Sequence, residues 1–250
     1  MDLNCDMGEI PEAIVEGAQE SLMPFLTSVN IACGGHAGDE QTMTATIEQA
    51  LRWKLAIGAH PGYADRANFG RIELDTTPYE VAESVLQQVQ ALAKIAARLG
   101  VRLAHVKPHG ALYNQAVNNR ALAAAIAEGV TRWSREVVLV GLAGSPMLDV
   151  FRAAGFAVAA EAFADRRYEA DGTLRSRTFA DALIRNPEEA ARQALSIAKN
   201  GSLVAHGGRE VEVSAQTICI HSDTPGATQI AKAVAGTLRG AGVRLRAAGQ

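Results

Sequence analysis

Short apolar runs that suit strands alternate along this chain with runs of helical period, and the alternation continues from the first residues to the last. Such a chain is confined to a mainly parallel α/β sheet covered by helices, because a strand can return parallel to its predecessor only through a long crossover. Strands are predicted at 1–4, 28–32, 55–59, 101–107, 137–141, 157–160 and 217–220. Helices are expected around 19–26, after Asp39, at 77–100, at 118–133, from Pro146, at 187–200 and at the C-terminal end. The 77–100 helix has the clearest start, with Thr77 as cap, Pro78 in the first turn and Glu80 placed to complete a capping box. Two hairpin excursions interrupt the rhythm, at 163–185 around Asp171-Gly172 and at 202–214 around Gly207-Gly208. About seven strand–helix units in 250 residues approach the length of a TIM-like (β/α) barrel, roughly 250 residues. The prediction is one domain, an irregular seven-stranded (β/α) barrel. An open doubly wound sheet is the competing arrangement, since periodicity does not report closure.

Hydrophobic residues make up 48% of the chain and charged residues 20%, enough apolar surface for one substantial core. A net charge of -3 offers no basic face to nucleic acid or anionic lipid, and no stretch suits a bilayer span. The start, MDLNCDMGE, lacks the basic and apolar segments of a signal peptide. Cys5, Cys33 and Cys219 are odd in number and widely spaced, which argues against a disulfide framework and suits a reducing cytoplasm.

Chemistry is expected where strands end. The stretch VRLAHVKPHGALYN stops its strand at Pro108 and brings an ammonium (Lys107), an imidazole (His109) and a phenol (Tyr113) together. Asp6, His36, His60, Glu161, His221 and Asp223 follow other strands, and five of the six histidines are expected at such ends, with His206 on a surface turn. In a closed sheet these groups converge. Asp6, His36 and His60 offer ligand types for a divalent ion or, equally, for a hydrogen-bond network. Asp6, Glu161 and Asp223 are candidate bases. Lys107 suits an oxyanion or a substrate carboxylate, or else an ion pair with Glu161 or an aspartate. Arg166, Arg167, Arg175 and Arg177 can clamp a carboxylate, and Tyr168 lies beside them. The chain has no GxxxxGK[ST], GxGxxG or GxSxG motif, which removes the main support for P-loop, dinucleotide-binding and serine-hydrolase readings.

The segments LNCDMGE, NIACGGHAGD, IGAHPGY with FGR, VKPHGALYN, VGLAGS, FADRRYEADGTLRSR and ICIHSDTPGA, in this order, resemble the LamB/YcsF family over nearly the whole chain. Gly35 stands where that family usually carries an aromatic residue, and Ser222 where it usually carries glycine. The resemblance implies a distorted seven-stranded barrel related to sugar deacetylases. It also implies ATP-dependent opening of the lactam 5-oxoproline (pyroglutamate) to L-glutamate, with 5-oxoprolinase subunits B and C as partners and Mg accompanying ATP. On this reading Asp6, Lys107, His109 and Asp223 are catalytic, and His36, His60, Glu161, Arg166, Arg167, Tyr168 and His221 hold substrate. A metal-dependent deacetylase of another small amide and a noncatalytic substrate-binding subunit are the alternatives.

Overall fold

A computed structural model describes residues 1–249. Seven parallel strands close into a barrel: β1 (Asp2–Met7), β2 (Ser28–Ala32), β3 (Ala56–His60), β4 (His105–Val106), β5 (Val138–Leu142), β6 (Ala157–Phe163) and β9 (Thr217–Cys219). Closure is made by β9, which pairs with β6 through Glu161–Thr217 and with β1 through Asn4–Cys219. The barrel expectation therefore holds against the open sheet.

Between the strands run α1 (Pro11–Val15), a 3₁₀ turn (Glu20–Phe25), α2 (Glu40–Arg52), α3 (Pro78–Arg98), α4 (Gly110–Ala116), α5 (Arg120–Thr131), α6 (Pro146–Ala153), α7 (Pro187–Asn200) and α8 (Ala227–Gly240). The Thr77–Glu80 capping box forms as expected. The helix expected at 118–133 forms as α5, and the stretch before it holds a further short helix, α4. Asn119 Oδ1 accepts the Leu122 amide at 3.1 Å and restarts the chain as α5, leaving α4 as a separate turn after His109. The strand expected at 101–107 keeps a regular ladder only at β4, although the Ala104 amide still donates to Ile57 at 2.7 Å.

Between β6 and β9 the chain leaves the barrel. Arg166 pairs with Leu183 and Tyr168 with Leu174 in isolated antiparallel bridges. Farther on, β7 (Ser202–Val204) and β8 (Glu210–Glu212) form the second hairpin, turning at Gly207 and Gly208, both at φ 86°.

The apolar core lies between strands and helices, where Leu3, Cys5, Val29, Ile31, Ile57, Val106, Leu139 and Ile218 are buried. Inside the barrel the alternate residues are largely polar, and they meet in hydrogen-bonded layers. At the bottom, Asp2 accepts from Ser28 at 2.9 Å and Thr217 at 2.6 Å. Above it, Asn4 donates to Glu161 at 3.0 Å, Asn30 donates to Asn4 at 2.7 Å, and His105 Nε2 lies 2.7 Å from Asn30 Oδ1. A buried polar group is costly unless it is partnered, so these layers must be laid down together. Gly58 is required here, because a Cβ would enter the His105 imidazole.

Candidate active site

Above the polar layers opens a cavity of about 470 Å³, within the roughly 300–1,000 Å³ common for small-molecule sites. Its floor is Lys107, placed one residue beyond β4 and buried. The Lys107 ammonium donates to Asp6 Oδ1 at 2.9 Å and lies 2.9 Å from Glu161 Oε1 and 3.2 Å from Cys219 Sγ. Burial opposes the charge on Lys107, but the Asp6 carboxylate, Cys219 and Glu161 outweigh it and hold the ammonium well above its ordinary pKa. Burial likewise opposes ionisation of Asp6, yet His60 and Lys107 keep its carboxyl well below the usual range. Asp6 thus remains a carboxylate with one oxygen committed to Lys107.

On one side of the floor three imidazoles assemble. His36 and His109 stack with ring centroids 3.6 Å apart, and His60 meets both rings edge-on. Glu9 joins them: its Oε1 lies 2.9 Å from His36 Nε2 and 3.3 Å from His109 Nδ1. Burial, followed by the neighbouring imidazoles, lowers His109 well below its ordinary pKa, and burial with His60 takes His36 to about 2. Both rings are neutral at pH 7. Burial also raises the Glu9 carboxyl. Glycine makes this packing feasible: a Cβ on Gly62 would lie 2.7 Å from His36 Nδ1. Phe69 adopts φ 56°, a conformation uncommon outside glycine, and presents its carbonyl to His109 Nε2 at 2.9 Å.

The opposite rim is made of arginines and a second acid–imidazole pair. Asp223 Oδ2 accepts from Arg71 and, at 3.0 Å, from Arg177. Against the effect of burial, His221, Arg177 and Arg71 pull the Asp223 carboxyl down to about 2. That makes Asp223 a poor base and a good brace for the arginines. Arg166 is buried at the cavity wall, donates to the Arg175 carbonyl at 2.7 Å and leaves its Nε without a hydrogen-bond partner. His221 Nδ1 lies 2.9 Å from Asp165 Oδ1, and Asp165 also accepts the His221 amide at 3.0 Å and the Thr224 hydroxyl at 2.6 Å. Burial opposes the Asp165 charge, but His221 outweighs it and the carboxyl stays low.

Of the residues singled out in the sequence, Asp6, His60, Lys107, His109, Tyr113, Arg166, Arg177, His221 and Asp223 line the cavity. Glu161 lies within β6, fully buried beneath Lys107, rather than beyond the strand end. His36 stands behind Glu9 and His109, off the cavity wall. Arg167 and Tyr168 face elsewhere: Arg167 pairs with Glu189 at 2.7 Å, and the Tyr168 hydroxyl accepts the Phe163 amide at 2.9 Å. His105 is inside β4 and His206 is on the exposed turn, 3.4 Å from Asp181. Glu9, Asp165 and Arg71 also belong to the site; each lies in a segment that carries the resemblance (LNCDMGE, FADRRYEADGTLRSR and FGR), where nothing local points to its role. Gly8, just before Glu9, turns the chain at φ 75° after β1.

The two departures in sequence have local consequences. Beside Gly35 the Gln88 amide pairs with Gly62, accepting its N–H at 3.1 Å and donating to its carbonyl at 2.8 Å. A Cβ at position 35 would lie 2.7 Å from that carbonyl. Ser222 uses its hydroxyl to donate to the Asp6 carbonyl at 2.9 Å.

The sequence profile of the LamB/YcsF family matches residues 1–250. A protein of Chloroflexus aggregans, named as the A subunit of 5-oxoprolinase, is 49% identical over 246 residues, covering 98% of both chains. Its namesake in Bordetella pertussis is 46% identical over 248 residues, covering 99% of this chain and 98% of the other. The crystal structure of a lactam utilization protein from Thermus thermophilus superposes with a TM-score of 0.92 at 41% identity, covering 99% of both chains.

Proposed function

This chain belongs to the LamB/YcsF family, and we propose on that ground that its barrel mouth opens the ring of 5-oxoproline to give L-glutamate, as the A subunit of a 5-oxoprolinase. The observation that carries the reading is the buried Lys107 ammonium, held between Asp6 and Glu161 at the floor of a cavity with an arginine rim.

Ring opening asks three things of a site: a positive group near the carbonyl oxygen, an acceptor for the proton of attacking water, and a donor for the departing nitrogen. Lys107 supplies the first, and its charge needs no reorganisation as the oxyanion develops. Asp6, ionised and beside Lys107, orients water and accepts its proton. His221, braced by buried Asp165, protonates the nitrogen as the C–N bond breaks. Arg71, Arg166 and Arg177 meet the substrate carboxylate, which fixes the lactam with its carbonyl toward the floor.

A five-membered lactam is a stable amide, so its hydrolysis gains from coupling to ATP, through phosphorylation of the amide oxygen to make the carbon a better electrophile. Water adds, the C–N bond breaks to leave an acyl phosphate, and a second water releases phosphate and glutamate. The chain has no P-loop motif, which fits assignment of the phosphorylation to partner subunits B and C, with Mg accompanying the nucleotide there. Glutamate release from 5-oxoproline by the three reconstituted subunits with ATP is the test. Release that continues at the same rate when this chain is omitted rejects the reading.

A further inference from the structure

The imidazole cluster turns several ring nitrogens and carboxylate oxygens toward one buried point. His60 Nδ1 lies 2.7 Å from the Lys107 carbonyl, and His109 Nε2 lies 2.9 Å from the Phe69 carbonyl. A carbonyl can only accept, so those nitrogens carry the ring protons. The remaining nitrogens, His60 Nε2 and His109 Nδ1, face each other at 3.0 Å. Around them stand Glu9 Oε1, 3.3 Å from His109 Nδ1 and 4.0 Å from His60 Nε2, and Asp6 Oδ2, 3.3 Å from His60 Nε2. His36 Nε2 approaches Glu9 Oε1 at 2.9 Å. Buried imidazole nitrogens and carboxylate oxygens that converge on one point in this way are the arrangement a bound cation satisfies.

We infer that Glu9, His36, His60 and His109 form a binding site for one divalent first-row transition-metal ion. One ligand atom from each residue lies within 4.8 Å of the others, a span that an ion bonding at about 2.0–2.2 Å can bridge. Three imidazoles and a carboxylate suit zinc, cobalt or manganese, whereas magnesium and calcium prefer oxygen donors. The two carbonyls that fix the His60 and His109 tautomers are the partners a metal-bound histidine ordinarily has on its far nitrogen. His36 Nδ1 is buried with no hydrogen-bond partner, and its Nε2 contacts only Glu9 Oε1, so the ring has a nitrogen to offer the ion beside that carboxylate. The set differs from the trio suggested by sequence, with Glu9 and His109 entering and Asp6 standing beside the ion. Metal binding here does not depend on the lactam reading.

The test titrates the full chain, stripped with chelator, with Co²⁺ and Zn²⁺ by calorimetry, following Co²⁺ also by its visible absorption. One ion per chain is expected, with a cobalt spectrum of low coordination number and no displacement by millimolar Mg²⁺. Glu9→Gln and His109→Ala are expected to weaken binding by at least about 100-fold while circular dichroism remains unchanged. If His109→Ala does not fold, the nearly isosteric Glu9→Gln decides alone. Substoichiometric binding of both ions, or binding unaffected by Glu9→Gln, overturns the site. Tight binding in a protein that fails to release glutamate would leave the metal site standing and reject only the proposed reaction.

Discussion

Lys107 and Asp6 are joined across the barrel floor, the ammonium 2.9 Å from Asp6 Oδ1, and each keeps the other charged where burial alone would neutralise both. Lys107→Met removes the positive group and leaves Asp6 and Glu161 buried without it. Glutamate release by the reconstituted complex should fall at least about 100-fold, the scale set by loss of one transition-state donor. Unfolding in urea should show a stability loss of about 3–5 kcal/mol, as for other broken buried pairs. An unchanged rate in the folded variant would remove Lys107 from the chemistry.

The arginine rim should act on binding. Arg177 shares Asp223 with Arg71, so Arg177→Gln weakens the grip on a substrate carboxylate without touching the floor. A rise in KM of about 10-fold or more with kcat altered less than about threefold is expected from steady-state kinetics. A fall confined to kcat would contradict the assignment.

Asp165 acts through His221. Asp165→Asn keeps the shape but replaces a charged acceptor with an amide, freeing the imidazole to take the wrong tautomer. We expect kcat to drop by about 100-fold and KM to stay nearly constant. The acidic limb of the pH–rate profile should move in the variant, which a purely structural role for Asp165 would not produce.

Acid should destabilise the fold through His105. Burial, then the Lys107 charge, lowers its pKa to about 3, whereas an unfolded histidine titrates near 6.5. Above pH 6.5 neither state binds the proton. As pH falls from there toward 3 the unfolded state binds it first, so stability declines by up to about 1.4 kcal/mol per pH unit. His105→Gln retains a donor for Asn30 but does not titrate, and chemical denaturation at a series of pH values should show a shallower acid slope by that amount.

Gly58 and His105 should be coupled. Gly58→Ala drives a methyl into the imidazole and should cost about 3 kcal/mol, whereas the same change in a His105→Ala background should cost much less. Equal costs in both backgrounds would mean that the ring moves aside freely.

Much of the framework is legible in the sequence. The second strand lies at 28–32 as expected, and the Thr77-Pro78-Glu80 signal marks the start of α3, because both rest on local preferences. The site is legible only in part. The role of Glu9 is not legible because its partners, His36, His60 and His109, reach it only when β1, β2, β3 and β4 become neighbours. Arg166 and Arg167 look equivalent in sequence. In extended chain successive side chains face opposite ways, so one meets the cavity and the other Glu189. Glu161 reads as following its strand because polar residues are unusual inside a barrel strand, and here the interior is polar.

The excursion between β6 and β9 bears on how this protein can change. Asp6, His60 and Lys107 stand on or just beyond barrel strands, while Arg166, Leu174 and Arg177 belong to a segment that leaves the sheet after β6 and rejoins it only at β9. Two of the three rim arginines are thus encoded apart from the floor, with Arg71 after β3 and Asp165 at the start of the excursion as the links between recognition and reactivity. Descent can lengthen or recharge the excursion beyond Asp165 to admit a different cyclic amide, while Asp6, His60 and Lys107 are inherited intact.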